Sequence, residues 1–268
     1  MWGRRGVRTG RPFSVVGVYD TEGMPPVIEV AHVTKVFKSA TAVNDISFQV
    51  ERGELLGFLG PNGAGKTTTI AMLLGIITPT RGQIRLLGHD MPRERREVLA
   101  RVNFSSPYVA LPYDLTVWEN LMVYAHLYSV REPRRAIRRL SEVFGAGHLL
   151  NQRTGRLSSG EIARVNLVKA FLNDPEILFL DEPTASLDPE AADTVRSLLV
   201  RLQREQNLTI FYTSHNMREV ERLSTRIIFL HRGRIVADGP AQDIIAEYGK
   251  TDLEEFFVEL ARSERAVP

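Results

Sequence analysis

The chain has no cysteine. Neither a disulfide nor a thiolate metal site can form, and the composition fits a reducing compartment. Long apolar runs are missing too. The richest, Ile70 to Ile77, is broken by Gly75 and falls short of the roughly 18 residues needed to cross a bilayer. No secretory signal is expected: Arg4, Arg5, Arg8 and Arg11 stand near the start, but no apolar segment of the needed length follows. An excess of one charge is also lacking, since 34 Lys and Arg face 32 Asp and Glu, a net +2. Nucleic-acid binding usually leaves a concentrated basic footprint. The candidates are the first eleven residues and the stretch Arg131 to Arg139, where Arg131, Arg134, Arg135, Arg138 and Arg139 surround Glu132. That stretch reads first as a solvated helix face, next as a nucleic-acid site or a surface for anionic lipid head groups. No nucleic-acid partner is expected.

Otherwise the composition is that of an ordinary globular protein. A chain of 268 residues with 43% hydrophobic and 25% charged residues can bury a sizeable core in one large or two small domains. No internal repeat, low-complexity segment or sustained heptad pattern is present.

The most informative stretch is Gly60-Pro61-Asn62-Gly63-Ala64-Gly65-Lys66-Thr67-Thr68. It fits G-x-x-x-x-G-K-[ST], the phosphate-binding loop of nucleotide triphosphatases. The apolar run Leu55 to Leu59 predicts a buried strand before it, and Thr68 to Leu74 a helix behind it. Strand, glycine loop and helix make the motif work: glycines let backbone N–H groups approach phosphate oxygens, and the helix N-terminus adds partial positive charge. Lys66 would bring a full charge to the β- and γ-phosphates, and the Thr67 hydroxyl would ligate Mg²⁺. The bland alternative is a glycine-rich turn that only starts a helix.

Ile177-Leu178-Phe179-Leu180-Asp181-Glu182 is four apolar residues ending in two carboxylates. At the C-terminal end of a parallel strand, both can enter the crevice where ligands of α/β sheets bind. There Asp181 would hold Mg²⁺ and Glu182 would polarise an attacking water. Alone, the pair reads better as an acidic cap. Leu157-Ser158-Ser159-Gly160-Glu161 precedes a helical run. Ser158-x-x-Glu161 is a capping box, and a serine and glycine at an exposed helix N-terminus are also an anion site suited to a γ-phosphate.

Residues 1–25 read as a poorly ordered lead-in. Val27–Val30, Ile46–Val50 and Gln83–Leu87 predict an antiparallel sheet beside the glycine loop. From about residue 105 to 173 apolar residues recur at helical spacing: Val117, Leu121, Tyr124, Ala125 and Tyr128, then Ala136, Ile137, Leu140, Val143 and Phe144. This block reads as a helical subdomain inserted between parallel strands. Ile177–Leu180 and Leu208–Tyr212 suit strands buried on both faces, joined by a helix over about 189–205. Ile227–Leu230 and Arg234–Ala237 flank a hairpin turn, and residues 241–268 form a helical tail. The fold class expected is α/β: a P-loop NTPase core whose parallel sheet is flanked by helices, with an antiparallel β subdomain and an inserted helical subdomain.

Taken together, these pieces resemble the ATPase subunit of ABC transporters over roughly residues 27–240. Gly60 to Thr67 is similar to that family's Walker A, Ile177 to Glu182 to its Walker B with the catalytic glutamate, and Leu157 to Glu161 to its signature, usually written LSGGQ. Ala185-Ser186-Leu187-Asp188 resembles the D-loop and Thr213-Ser214-His215 the switch histidine. Phe37 sits where the family has an aromatic that stacks on adenine. Two departures stand out. The signature has Ser159 for glycine and Glu161 for glutamine. No glutamine lies near Asn103 to Pro107, where the Q-loop belongs, so Ser105 or Ser106 stands in for it, with Ser106 the metal candidate. Thr251 to Phe257 is similar to the ending of ABC-2-type exporter ATPases.

The resemblance implies ATP and Mg²⁺ as cofactors, with Glu182, His215 and Lys66 catalytic. Phe37, the loop Gly60 to Thr68, and Ser158, Gly160 and Asp188 would bind nucleotide; Thr67, Asp181 and Ser106 would bind the metal. It implies a second ATPase subunit, with a homodimer expected, an integral membrane permease as partner, and peripheral placement on the cytoplasmic face of the cell membrane. ATP hydrolysis would drive transport, with export favoured by the tail. The alternatives are an ABC-type ATP switch that hydrolyses slowly on soluble partners such as ribosomes or DNA, and a degenerate cassette that binds ATP structurally.

Overall fold

The computed structural model describes residues 25–38, 40–106, 110–185, 187–214 and 216–262. Ten strands and nine α-helices run in this order among them: β1 (Ile28–Phe37), β2 (Ala40–Val50), β3 (Leu55–Leu59), α1 (Lys66–Leu73), β4 (Arg81–Leu86), β5 (His89–Met91), α2 (Arg95–Leu99), β6 (Val102–Ser105), α3 (Val117–Leu127), α4 (Pro133–Val143), α5 (Ser159–Ala170), β7 (Ile177–Asp181), α6 (Pro189–Gln206), β8 (Thr209–Thr213), α7 (Met217–Leu223), β9 (Arg226–His231), β10 (Arg234–Gly239), α8 (Ala241–Glu247) and α9 (Leu253–Arg262). Among these, no helix is long and apolar enough to cross a membrane.

Two sheets form. The larger has the order β10-β9-β3-β8-β7-β6, parallel throughout except for the β9–β10 hairpin. The smaller is antiparallel, β2-β1-β4-β5. The apolar runs of the central strands have a simple cause: each buries both faces. Leu55 and Leu59 of β3, Leu178 and Leu180 of β7, and Ile210 and Tyr212 of β8 enter one core with the inserted helices, α6, α7 and the tail. Leu56 and Phe58, Ile177 and Phe179, and Phe211 enter the other, shared with the antiparallel sheet, α1 and α2. Phe48 of the antiparallel sheet meets Phe58 at 5.9 Å between ring centres, and Phe58 meets Phe211 at 4.9 Å, joining the two layers.

An inserted helical block is present, with α3, α4 and α5 lying between β6 and β7. Its helices begin where side chains satisfy the first amides. Thr116 and Glu119 close a capping box on α3, as Ser158 and Glu161 do on α5. The arginines at 134, 135, 138 and 139 ride the outer face of α4, while Ile137 and Leu140 face inward.

At the N-terminal edge of the parallel sheet, Glu176 accepts from Arg101 Nε at 2.7 Å and from Arg52 Nη1 at 3.0 Å. Burial pushes its carboxyl up, but the two guanidinium groups outweigh burial and hold it at about 2. A carboxyl lowered on folding stabilises above its unfolded value and loses that contribution as pH falls through its folded one. The Glu176→Gln protein should therefore lose on the order of 2 kcal/mol near neutral pH, a difference from the parent that closes as acid protonates Glu176 in the parent. Denaturant midpoints at pH 7 and pH 3 check this; an equal gap at both would contradict it.

Candidate functional site

Parallel strands bring their C-terminal ends to one edge, and the sequence-expected residues gather there. The loop from Gly60 to Gly65 leaves β3 and enters α1. Gly60 has φ 149°, and a Cβ on it would lie 2.1 Å from the Leu230 carbonyl oxygen; Gly65 has φ 107°, and a Cβ there would meet the Ala42 carbonyl oxygen at 2.4 Å. Only glycine fits either position. Gly63 faces open space, and Asn62, Gly63 and Thr67 are exposed. Pro61 and Ala64 are buried beneath the turn, and the Ala64 amide donates to the Pro61 carbonyl at 3.1 Å. Helix α1 starts without an acidic residue or a side-chain cap, so the first amides keep their donors for a ligand.

The Lys66 ammonium donates to the carbonyls of Gly60 at 2.5 Å and Pro61 at 3.0 Å. Burial lowers its pKa, against the opposing charges of Glu182 and Asp181. Both carboxylates thus bear on the same cation. Asp181 ends β7 in register with Thr213 of the adjacent β8, and Thr213 Oγ1 donates to Asp181 Oδ1 at 2.6 Å. The Glu182 amide donates to the Thr213 carbonyl at 3.1 Å. Glu182 adopts φ 50°, a left-handed conformation uncommon for a residue with a side chain and frequent at working sites. The turn out of β7 is therefore held by β8, and Glu182 is half-buried at its mouth.

Ser106 is buried and follows β6, whose last pair with β7 is Ser105 with Leu180; one residue further brings Ser106 level with Asp181. Phe37 ends β1 beside the turn into β2, 45% exposed, with the Lys35 ammonium 5.0 Å from its ring centre. The strand that follows carries the Ala42 carbonyl against Gly65, joining the sheet that holds Phe37 to the glycine loop. Asp188 caps α6 by accepting from the Ala191 amide at 2.9 Å and is exposed. His215 and Ser186 lie outside the described residues.

Ser158 and Gly160 stand apart, at the exposed start of α5. The local reading of Ser158 as a cap is correct. Its amide and hydroxyl both donate to Glu161 Oε2, each at 2.8 Å, and these bonds lower the Glu161 pKa. Sequence reasoning gave no role to Thr213, the partner of Asp181. A threonine closing a mostly apolar strand was the available signal.

A glycine-lined turn at a helix N-terminus, a lysine, and two carboxylates on the next-but-one strand of a parallel sheet define a P-loop nucleotide-binding cassette. The comparisons agree. Residues 43–185 match the family model described as ABC transporter. The bacitracin transport ATP-binding protein BcrA of Bacillus licheniformis is 36% identical over 81% of this chain and 71% of its own length. The Nod factor export ATP-binding protein I of Paraburkholderia xenovorans is 40% identical over 86% of this chain and 76% of its own. A solved structure of an ATP-binding subunit of an ABC transporter superposes with a TM-score of 0.80 at 29% identity, covering 88% of this chain and 99% of that one. The chain belongs to the ABC transporter ATP-binding family and is an ATPase.

Proposed function

We propose that this chain is the nucleotide-hydrolysing subunit of an exporter, working as a pair of cassettes beneath a separate membrane permease. The observation that carries the reading is that Lys66, held by the carbonyls of the glycine loop, lies within the electrostatic reach of Asp181 and Glu182, which stand at the C-terminal end of β7 on the same edge of the sheet. The amides of the loop and α1 bind the β- and γ-phosphates, and Lys66 exchanges its two carbonyl partners for phosphate oxygens. Phe37 stacks on the adenine. Thr67, Asp181 and Ser106 are oxygen donors of the type that suits a magnesium ion, which would neutralise phosphate charge when bound. Glu182 orients the attacking water and takes its proton; His215 holds the γ-phosphate.

One copy leaves the outer side of the phosphates open. The exposed start of α5 supplies the missing donors from a second copy: Ser158 turns its hydroxyl from Glu161 to the γ-phosphate, and the Gly160 amide joins it. A two-fold pair completes both sites at once, with Asp188 near the junction. ATP holds the pair together, and loss of phosphate releases it. The inserted helices meet the permease, a reading supported by the exposed Tyr113, Val123 and Leu127 on and just before α3. The names of the relatives, a bacitracin transporter and a Nod factor exporter, support transport over a switch acting on ribosomes or DNA.

The purified chain is expected to release phosphate from ATP, to stop when EDTA removes the metal, and to resume when magnesium is restored. ATP consumption that ignores EDTA would count against this assignment of the site.

A further inference from the structure

Glu219 sits at the third position of α7, where Glu119 of α3 and Glu161 of α5 fold back to close their own caps. It does something different. Asn216 caps α7 through the Glu219 amide at 3.2 Å, and the Asn216 amide is taken by Ser214 Oγ at 3.1 Å. The Glu219 carboxylate is thereby free of its helix and turns inward, 5% exposed. Thr184 Oγ1 donates to its Oε1 at 2.7 Å, and Ser214 Oγ donates to its Oε2 at 3.3 Å. Arg196 of α6 stands 3.6 Å from Oε1.

Burying a carboxylate is costly unless each oxygen is matched. A helix of seven residues with an Asn cap does not need this one. Its partners explain its presence. Thr184 lies two residues beyond Glu182, in the turn leaving β7. Ser214 lies next to His215, in the turn leaving β8. Arg196 belongs to the helix that the first turn enters.

We propose that Glu219 is a positioning residue, a clasp that keeps the Glu182 turn and the Ser214 segment in a fixed relation so that the water and the γ-phosphate are addressed together. The proposal rests on the hydrolytic reading above. Glu219 touches no nucleotide, so it sets the rate of the chemical step and leaves ATP affinity alone. Thr184 is its principal partner, and the hydroxyl is the part of Thr184 that matters.

The test compares Glu219→Gln, Thr184→Val and Thr184→Ser in the full chain, with steady-state ATP hydrolysis, ATP binding by calorimetry and thermal melting on each. Glu219→Gln keeps the shape and loses the charge; Thr184→Val keeps the shape and loses the hydroxyl. Both should lower kcat by about tenfold or more, with the Kd for ATP within about twofold of the parent, as expected for an interaction used only in the transition state. Thr184→Ser should restore the rate. Unchanged kcat in folded Glu219→Gln and Thr184→Val proteins would overturn the clasp. So would a loss of rate matched by an equal loss of ATP affinity, or one that Thr184→Ser does not restore. A parent chain that fails to hydrolyse ATP would strike the functional reading instead, and the two failures are therefore distinct.

Discussion

A Glu182→Gln protein is expected to bind ATP and stop there. The amide keeps the size of the carboxylate and can hold a water, but it cannot take a proton. Loss of a general base costs roughly 10²–10⁴-fold in rate. The backbone bond from the Glu182 amide to Thr213 is independent of the side chain, so the turn should keep its φ of 50° and the fold its melting temperature. With hydrolysis blocked, the ATP-held pair accumulates, and gel filtration with ATP should show a dimer that the parent shows only transiently. Phosphate release at the parental rate would remove Glu182 from its assigned role.

Lys66→Ala is expected to fail one step earlier. The ammonium already bridges two carbonyls of the loop and feels the opposing charges of Glu182 and Asp181. Its charge-assisted bonds to phosphate are each worth about 1.5–3 kcal/mol, so calorimetry should find ATP affinity reduced by roughly ten- to a hundredfold. The sign of the pH dependence follows from burial, which favours the neutral amine in the free protein. Affinity should fall as pH rises through the lowered pKa, sooner than for a lysine in water, and the Ala variant should lack that limb. Unaltered nucleotide affinity would contradict the loop assignment.

The parts of the fold with a strong local signature are legible in the sequence. β3, the glycine loop and α1 are written in neighbouring residues. β7 is a run of apolar residues because both its faces are covered. β1 and β2 run longer than their apolar alternation shows, since bulges between Val30 and Phe37 shift the faces and break the period. β5, α2 and β6 were not anticipated. They have three, five and four residues, and β6 carries Asn103 and Ser105 where a buried parallel strand ordinarily has aliphatics. Pairing with β7 sustains β6, and the Asn103 amide finds Asn173 at 2.8 Å, contacts between residues far apart in the chain. Glu219 was hidden for a related reason. Asn216 and Glu219 have the spacing of a capping box, and only the tertiary structure shows the carboxylate turned to Thr184.

Gly233, at the tip of the β9–β10 hairpin, donates its amide to the Ala64 carbonyl and accepts from the Asn44 amide. A single residue thus rivets the glycine loop, the antiparallel layer and the far edge of the parallel sheet. A working stroke cannot readily begin among these three. In the cycle proposed above, angular travel would fall to the inserted helices, which leave the sheet after β6 and rejoin it before β7. In the proposed cycle, those two crossings are where the inserted helices and the sheet would have to stay coupled.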